Sequence, residues 1–102
     1  MLEPVVALPR LAVLVEYVRA TLCGRDHLDP DQTPFFATPI YRGTRITGVI
    51  YHVEGPRLVQ ISALWANEEN RIVFYDSTGQ RFHECRLIES PDIREALPRV
   101  AA

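Results

Sequence analysis

Lysine is absent from this chain, and all 11 basic residues are arginine. That excludes a Schiff-base lysine, the lysine of a phosphate-binding loop and a side-chain amine nucleophile. Codon bias in a GC-rich genome accounts for the absence without chemistry. Cysteine is scarce as well. Cys23 and Cys85 show none of the paired spacing of a metal or redox site. They are expected to be reduced, buried thiols behaving as small hydrophobes, with a bridge between them left open. The five glycines are scattered, so no glycine-rich phosphate cradle is present. The serines are Ser62, Ser77 and Ser90, none of them in a Gly-x-Ser-x-Gly setting.

Long apolar runs are missing too. The stretch from Val5 to Val18 is interrupted by Pro9, Arg10 and Glu16 and does not read as membrane-spanning. The start, Met1-Leu2-Glu3-Pro4, lacks the basic residues of a secretory signal, so a cytoplasmic protein is expected. With 13 acidic against 11 basic residues the net charge is −2, which gives no overall attraction for nucleic acid or an anionic membrane.

What is present is a strand-rich centre. Arg45 to Ile88 reads as four strands rich in Ile, Val, Tyr, Phe and Trp. Turn chemistry separates them at Glu54-Gly55-Pro56-Arg57, Asn67-Glu68-Glu69-Asn70 and Asp76-Ser77-Thr78-Gly79-Gln80. Before it, Leu11, Leu14, Val15, Val18 and Leu22 recur at helical spacing, predicting a helix over 9–23 with Pro9 in its first turn and Gly24 just past its end. Pro30, Pro34 and Pro39 make 25–44 an irregular segment, expected to fold its Phe35-Phe36 pair over apolar surface. Ser90-Pro91-Asp92 opens a short helix over 91–97, stopped by Pro98 and followed by a frayed tail to Ala102. The expected fold is therefore α+β in a single domain, 1–102: an N-terminal helix packed on a four-stranded antiparallel meander, with a short C-terminal helix.

Turn length sets register in hairpins. A two-residue turn at Gly55-Pro56 pairs Glu54 with Arg57 and Ile50 with Ile61. A four-residue turn over Asn67–Asn70 pairs Trp65 with Ile72. A three-residue loop with Gly79 left-handed pairs Phe74 with Phe82. On that register Ile46, Gly48, Ile50 and His52 join Ile61, Trp65 and Phe74 on the helix face. Val49, Tyr51, Val53, Cys85 and Leu87 fall on the second face with Leu64 and Val73. That second face is too apolar for open solvent. A cover is expected from the Pro-rich segment, a second copy or a ligand.

Candidate chemistry is thin. His27 lies among Asp26, Asp29 and Asp31, but the spacing matches no calcium loop and offers too few fixed zinc ligands, so no metal is expected. Helix-exit and turn chemistry explain Asp26, Asp29 and Asp31 without a metal. Ser62, Tyr75 and Arg81 form one polar row on the second face, with Tyr51 and Gln60 in the next and Leu64 beside them. They are the interface candidates. His52 and Asp76, with Tyr41, are the candidates for a small-molecule pocket at the sheet end, as base and orienting acid. A rim histidine and a turn-capping aspartate explain the first two without catalysis. The function expected first is a non-enzymatic interaction module without cofactor, a homodimer or a binder of a protein partner. A small-molecule or enzymatic pocket is the alternative.

Overall fold

The computed structural model describes residues 4–97. The expectations for Met1–Glu3 and for Pro98 and the tail lie outside these residues. In chain order the elements are β1 (Val5–Ala7), α1 (Leu11–Arg25), β2 (Phe35–Arg42), β3 (Arg45–Glu54), β4 (Gln60–Ala66), β5 (Arg71–Tyr75) and β6 (Arg81–Glu89). A short 3-10 helix follows at Ile93–Ala96.

The α+β class and the helix on the sheet stand, but the expected four-stranded antiparallel meander with a short C-terminal helix does not. The strands form one six-stranded mixed sheet in the order β1-β6-β5-β4-β3-β2. β1 runs parallel to β6 and every other pair is antiparallel. β1 has three residues and pairs with the far end of the chain, so no local pattern announces it. β2 occupies the second half of the segment expected to be irregular. Glu54 donates its N–H to the Pro34 carbonyl at 3.2 Å. Alternation from that pair turns residues 36, 38 and 40 toward β3 and Pro39 toward the open edge. A residue without an N–H is tolerated there.

Helix α1 buries Leu14, Val18, Leu22 and Cys23 against the sheet. Gly24 lies inside it; the left-handed stop is His27, with φ 56°. Leu28 donates its N–H back to the Cys23 carbonyl at 2.8 Å, closing a Schellman-type end. The acids and imidazole around His27 are thus helix-exit chemistry. Both cysteines are buried thiols, and burial pushes Cys23 up.

The β3–β4 register differs from the expected one. Glu54 pairs with Gln60 and Val53 with Ile61. The turn holds five residues, closed by the Gly55 N–H on the Val59 carbonyl at 2.7 Å, with Arg57 at φ 62°. A slip by an odd number of residues exchanges the faces of a strand. Val49, Tyr51 and Val53 therefore join Ile61, Ala63, Trp65, Ile72 and Phe74 in the core, while Ile50 and His52 turn outward. Trp65 pairs with Ile72, as expected. Between β5 and β6 a bulge inserts Phe82: Phe74 pairs with His83 and Tyr75 with Arg81. The bulge carries Cys85 and Leu87 into the core.

Gly48 answers to a close approach. A Cβ there would stand 2.6 Å from the Trp65 carbonyl oxygen. Trp65 itself is 0 % exposed.

The observed register sets opposite outcomes for two adjacent substitutions. Val49→Asp, which buries a carboxylate, is expected to abolish cooperative folding. Ile50→Asp is expected to cost less than about 1 kcal/mol in urea unfolding, like an ordinary surface change. The converse result would support the two-residue turn.

Candidate functional site

Helix α1 and the 3-10 helix both pack on one side of the sheet, where Ile93 and Ala96 reach the core. The other side carries three cross-strand rows, each running from β2 to β6. The central row is Thr38, Ile50, Leu64, Val73 and Glu84. On one side of it lie Phe36, His52, Ser62, Tyr75 and Arg81. On the other lie Ile40, Gly48, Ala66, Arg71 and Arg86. Ile50 is 40 % exposed and Phe36 42 %, so the face is open at its β2–β3 end. Val73 is 5 % exposed, shielded by its neighbours in the sheet.

The Phe36 ring stacks on His52 with centroids 4.8 Å apart and planes 18° apart. His52 Nε2 lies 3.5 Å from Glu54 Oε1. The second flanking row is low at its centre, because Gly48 and Ala66 have almost no side chain. A hollow of about 200 Å³ lies there, lined by Ile40, Thr47, Gly48, Leu64 and Ala66 and rimmed by Arg42, Glu68 and Glu69. At the β6 end one carboxylate joins two guanidiniums: Glu84 Oε1 is 2.6 Å from Arg71 Nη1, and Oε2 is 3.1 Å from Arg81 Nη1. Such a shared, half-buried carboxylate holds three side chains in fixed geometry.

Of the interface candidates, Gln60, Ser62, Leu64, Tyr75 and Arg81 lie on this outer face. Tyr51 lies on the opposite one, 1 % exposed, and burial pushes its hydroxyl up to about 12. Phe36, Ile50 and the Gly48–Ala66 hollow are the features that sequence reasoning missed. Their signal was the Phe-Phe pair, which alternates across β2: Phe35 stacks on Tyr51 inside and Phe36 on His52 outside.

The pocket candidates are not brought together. Tyr41 pairs with Ile46, six residues along β3 from His52, about 20 Å at the usual strand rise. Asp76 begins the β5–β6 turn, two strands away from His52. Its Oδ1 accepts from the Thr78 hydroxyl at 2.6 Å, the Thr78 N–H at 2.9 Å and the Gln80 N–H at 3.0 Å. These bonds, the hydroxyl first, hold the carboxyl below its ordinary range, with Arg25 adding to them. Ser62 faces His52 across the strands, but no hydrogen bond joins the two among the described residues. No cluster of three or more His, Cys, Asp or Glu suited to a metal occurs among the described residues. Among them also, no helix is long and apolar enough to cross a membrane.

The chain matches no protein-family model, no curated protein and no solved structure.

Two capping carboxylates are held below their ordinary range, so stability is expected to fall in acid. The Arg94 side chain and N–H hold Asp92 at about 2, below the ordinary 3.8. A carboxyl depressed by folding contributes stability above its unfolded value, and that contribution is lost as pH falls through the folded one. Unfolding midpoints should therefore drop between pH 4 and pH 2, and Asp92→Asn should flatten part of that drop. An unchanged slope in denaturant titrations of the variant would count against the assignment.

Proposed function

We propose that this chain is a non-enzymatic interaction module that docks a protein through the outer face of its sheet. The observation that carries this reading is the apolar row Ile50, Leu64 and Val73, open to solvent at Ile50 and bordered by the aromatic side chains Phe36 and Tyr75. Antiparallel sheets with one solvated face show polar residues at such positions. An apolar patch rimmed by polar and charged groups is the usual signature of a contact surface. Tyr75, Phe36 and the Arg81–Glu84–Arg71 ladder supply the aromatic and arginine anchors that such surfaces favour.

The titratable groups on the face are engaged structurally. The His52 ring lies on Phe36 and faces Glu54, and the Glu84 carboxylate is shared by two arginines. A cytoplasmic setting fits the two buried thiols, since such compartments keep cysteines reduced. The excess of acidic over basic residues favours neither nucleic acid nor an anionic membrane as the partner.

The test compares wild type with Leu64→Glu, at the centre of the face. In native extract of its own cells, sized by exclusion chromatography, the wild-type chain should elute well above its 11.6 kDa. Leu64→Glu should elute at the monomer position with an unchanged circular dichroism spectrum. A wild-type chain that elutes as a bare monomer would overturn the reading.

A further inference from the structure

The helix-bearing side of the sheet holds a cavity of its own, of about 280 Å³. Its floor includes Ala37 and Pro39 on β2 and Tyr51 on β3. Leu11 and Val15, one turn apart on α1, stand on one side of it. Glu95 of the 3-10 helix stands on the other. The space follows from the sequence. Helix α1 packs mainly on β3 and β4, and beyond it β2 offers an alanine and a proline ring as filling. Ala37 pairs with Tyr51, so this floor faces away from the outer, docking face.

The polar group of interest is the Tyr51 hydroxyl. The side chain is 1 % exposed, and its ring stacks on Phe35 with centroids 5.6 Å apart. The hydroxyl makes no hydrogen bond among the described residues. Buried side-chain polar atoms are nearly always paired, and a phenylalanine packs in the same way without an unmet donor. The cavity that Tyr51 lines is where a partner oxygen can stand. Burial pushes the hydroxyl up to about 12, so it remains a neutral donor at ordinary pH. The exposed Glu95 carboxylate at the mouth makes no ion pair among the described residues and repels an anion.

We propose that this cavity binds a small, uncharged, apolar molecule with one carbonyl or hydroxyl oxygen, which accepts a hydrogen bond from Tyr51 while the apolar body lies against Leu11, Val15, Ala37 and Pro39. The volume lies at the lower end of the range for ligand pockets, roughly 300–1,000 Å³, which sets a fragment-sized ligand. Apolar walls around a single buried donor are the usual composition of such a site. They disfavour sugars and nucleotides, whose polar groups would go unpaired. No histidine, cysteine or serine lines the cavity, so the site binds and does not react. The proposal is independent of docking through the outer face, on the opposite side of the sheet.

The experiment uses three probes of nearly one shape: acetophenone, which carries the oxygen, isopropylbenzene, which lacks it, and benzoate, which is an anion. Each is titrated into the purified full chain and followed by backbone amide chemical shifts. Acetophenone is expected to shift the amides of Ala37 and Tyr51 saturably. It should bind about fivefold more tightly than isopropylbenzene, the worth of one ordinary hydrogen bond. Benzoate should bind only after Glu95→Gln. Tyr51→Phe deletes an unpartnered hydroxyl, so it should keep the circular dichroism spectrum and unfolding midpoint while reducing acetophenone to the affinity of isopropylbenzene. No saturable shift with acetophenone would overturn the proposal. Equal acetophenone affinity in wild type and Tyr51→Phe would overturn it too, as would shifts confined to the outer face. None of these outcomes bears on the Leu64→Glu comparison, which reads the other side of the sheet.

Discussion

The register between β3 and β4 is the constraint on which the rest depends. Five residues, Gly55 to Val59, connect these strands, and Arg57 turns the chain in a left-handed conformation at φ 62°. With Glu54 opposite Gln60, Tyr51 and Val53 face α1, and His52 and Glu54 face away. The register implied by a two-residue turn would reverse this. A carboxylate and an imidazole would enter the core, and Tyr51 would leave it. Burying an ionised group without a partner costs several kcal/mol or forces its protonation. Losing a buried aromatic costs on the order of 3–5 kcal/mol. Both effects favour the observed turn, even though it holds a non-glycine residue at positive φ. The same register produces the outer face, because it sends Ile50 out together with His52.

Much of the fold was legible where the contacts are local. The helix, the β4–β5 hairpin and its Trp65–Ile72 pairing follow from apolar spacing and turn residues close in sequence. The failures share a cause in longer-range geometry. Gly55-Pro56 looks like a tight turn, and only the faces of both strands together reveal the longer one. Pro39 looks like a strand breaker, yet it sits on an edge where no ladder bond is owed. Phe82 becomes the extra residue of a bulge, which shifts Cys85 to the core. β1 needs a partner far away in sequence, as in Val5 opposite Arg86, 81 positions on. Gln60, Ser62, Leu64 and Tyr75 lie on the face expected for them because β4 and β5 were placed correctly, and Arg81 on β6 follows through its pairing with Tyr75. Tyr51 was misplaced by the slipped turn. The hollow was unreadable because it consists of missing side chains, at Gly48 and Ala66.

Gly48 shows how a structural demand shapes the surface. The Trp65 carbonyl approaches so closely that any Cβ would stand 2.6 Å away. The core therefore requires glycine at this point of β3, and the outer face inherits a depression directly behind the buried indole. Ala66, one strand over, widens it. A concavity fixed by core packing is rigid, so a side chain that fills it loses little to rearrangement of the surface.

The sheet's two edges are poor sites for strand addition. An open edge presents unsatisfied backbone groups and invites another strand. Here both edges are blunted. β1 is three residues long, and β2 carries Pro39 with its nitrogen turned outward, removing a donor from the middle of the edge. Arg42 closes the end of that strand with a charge. Strand addition is disfavoured on either side, whereas the outer face keeps Ile50 and Phe36 in contact with water.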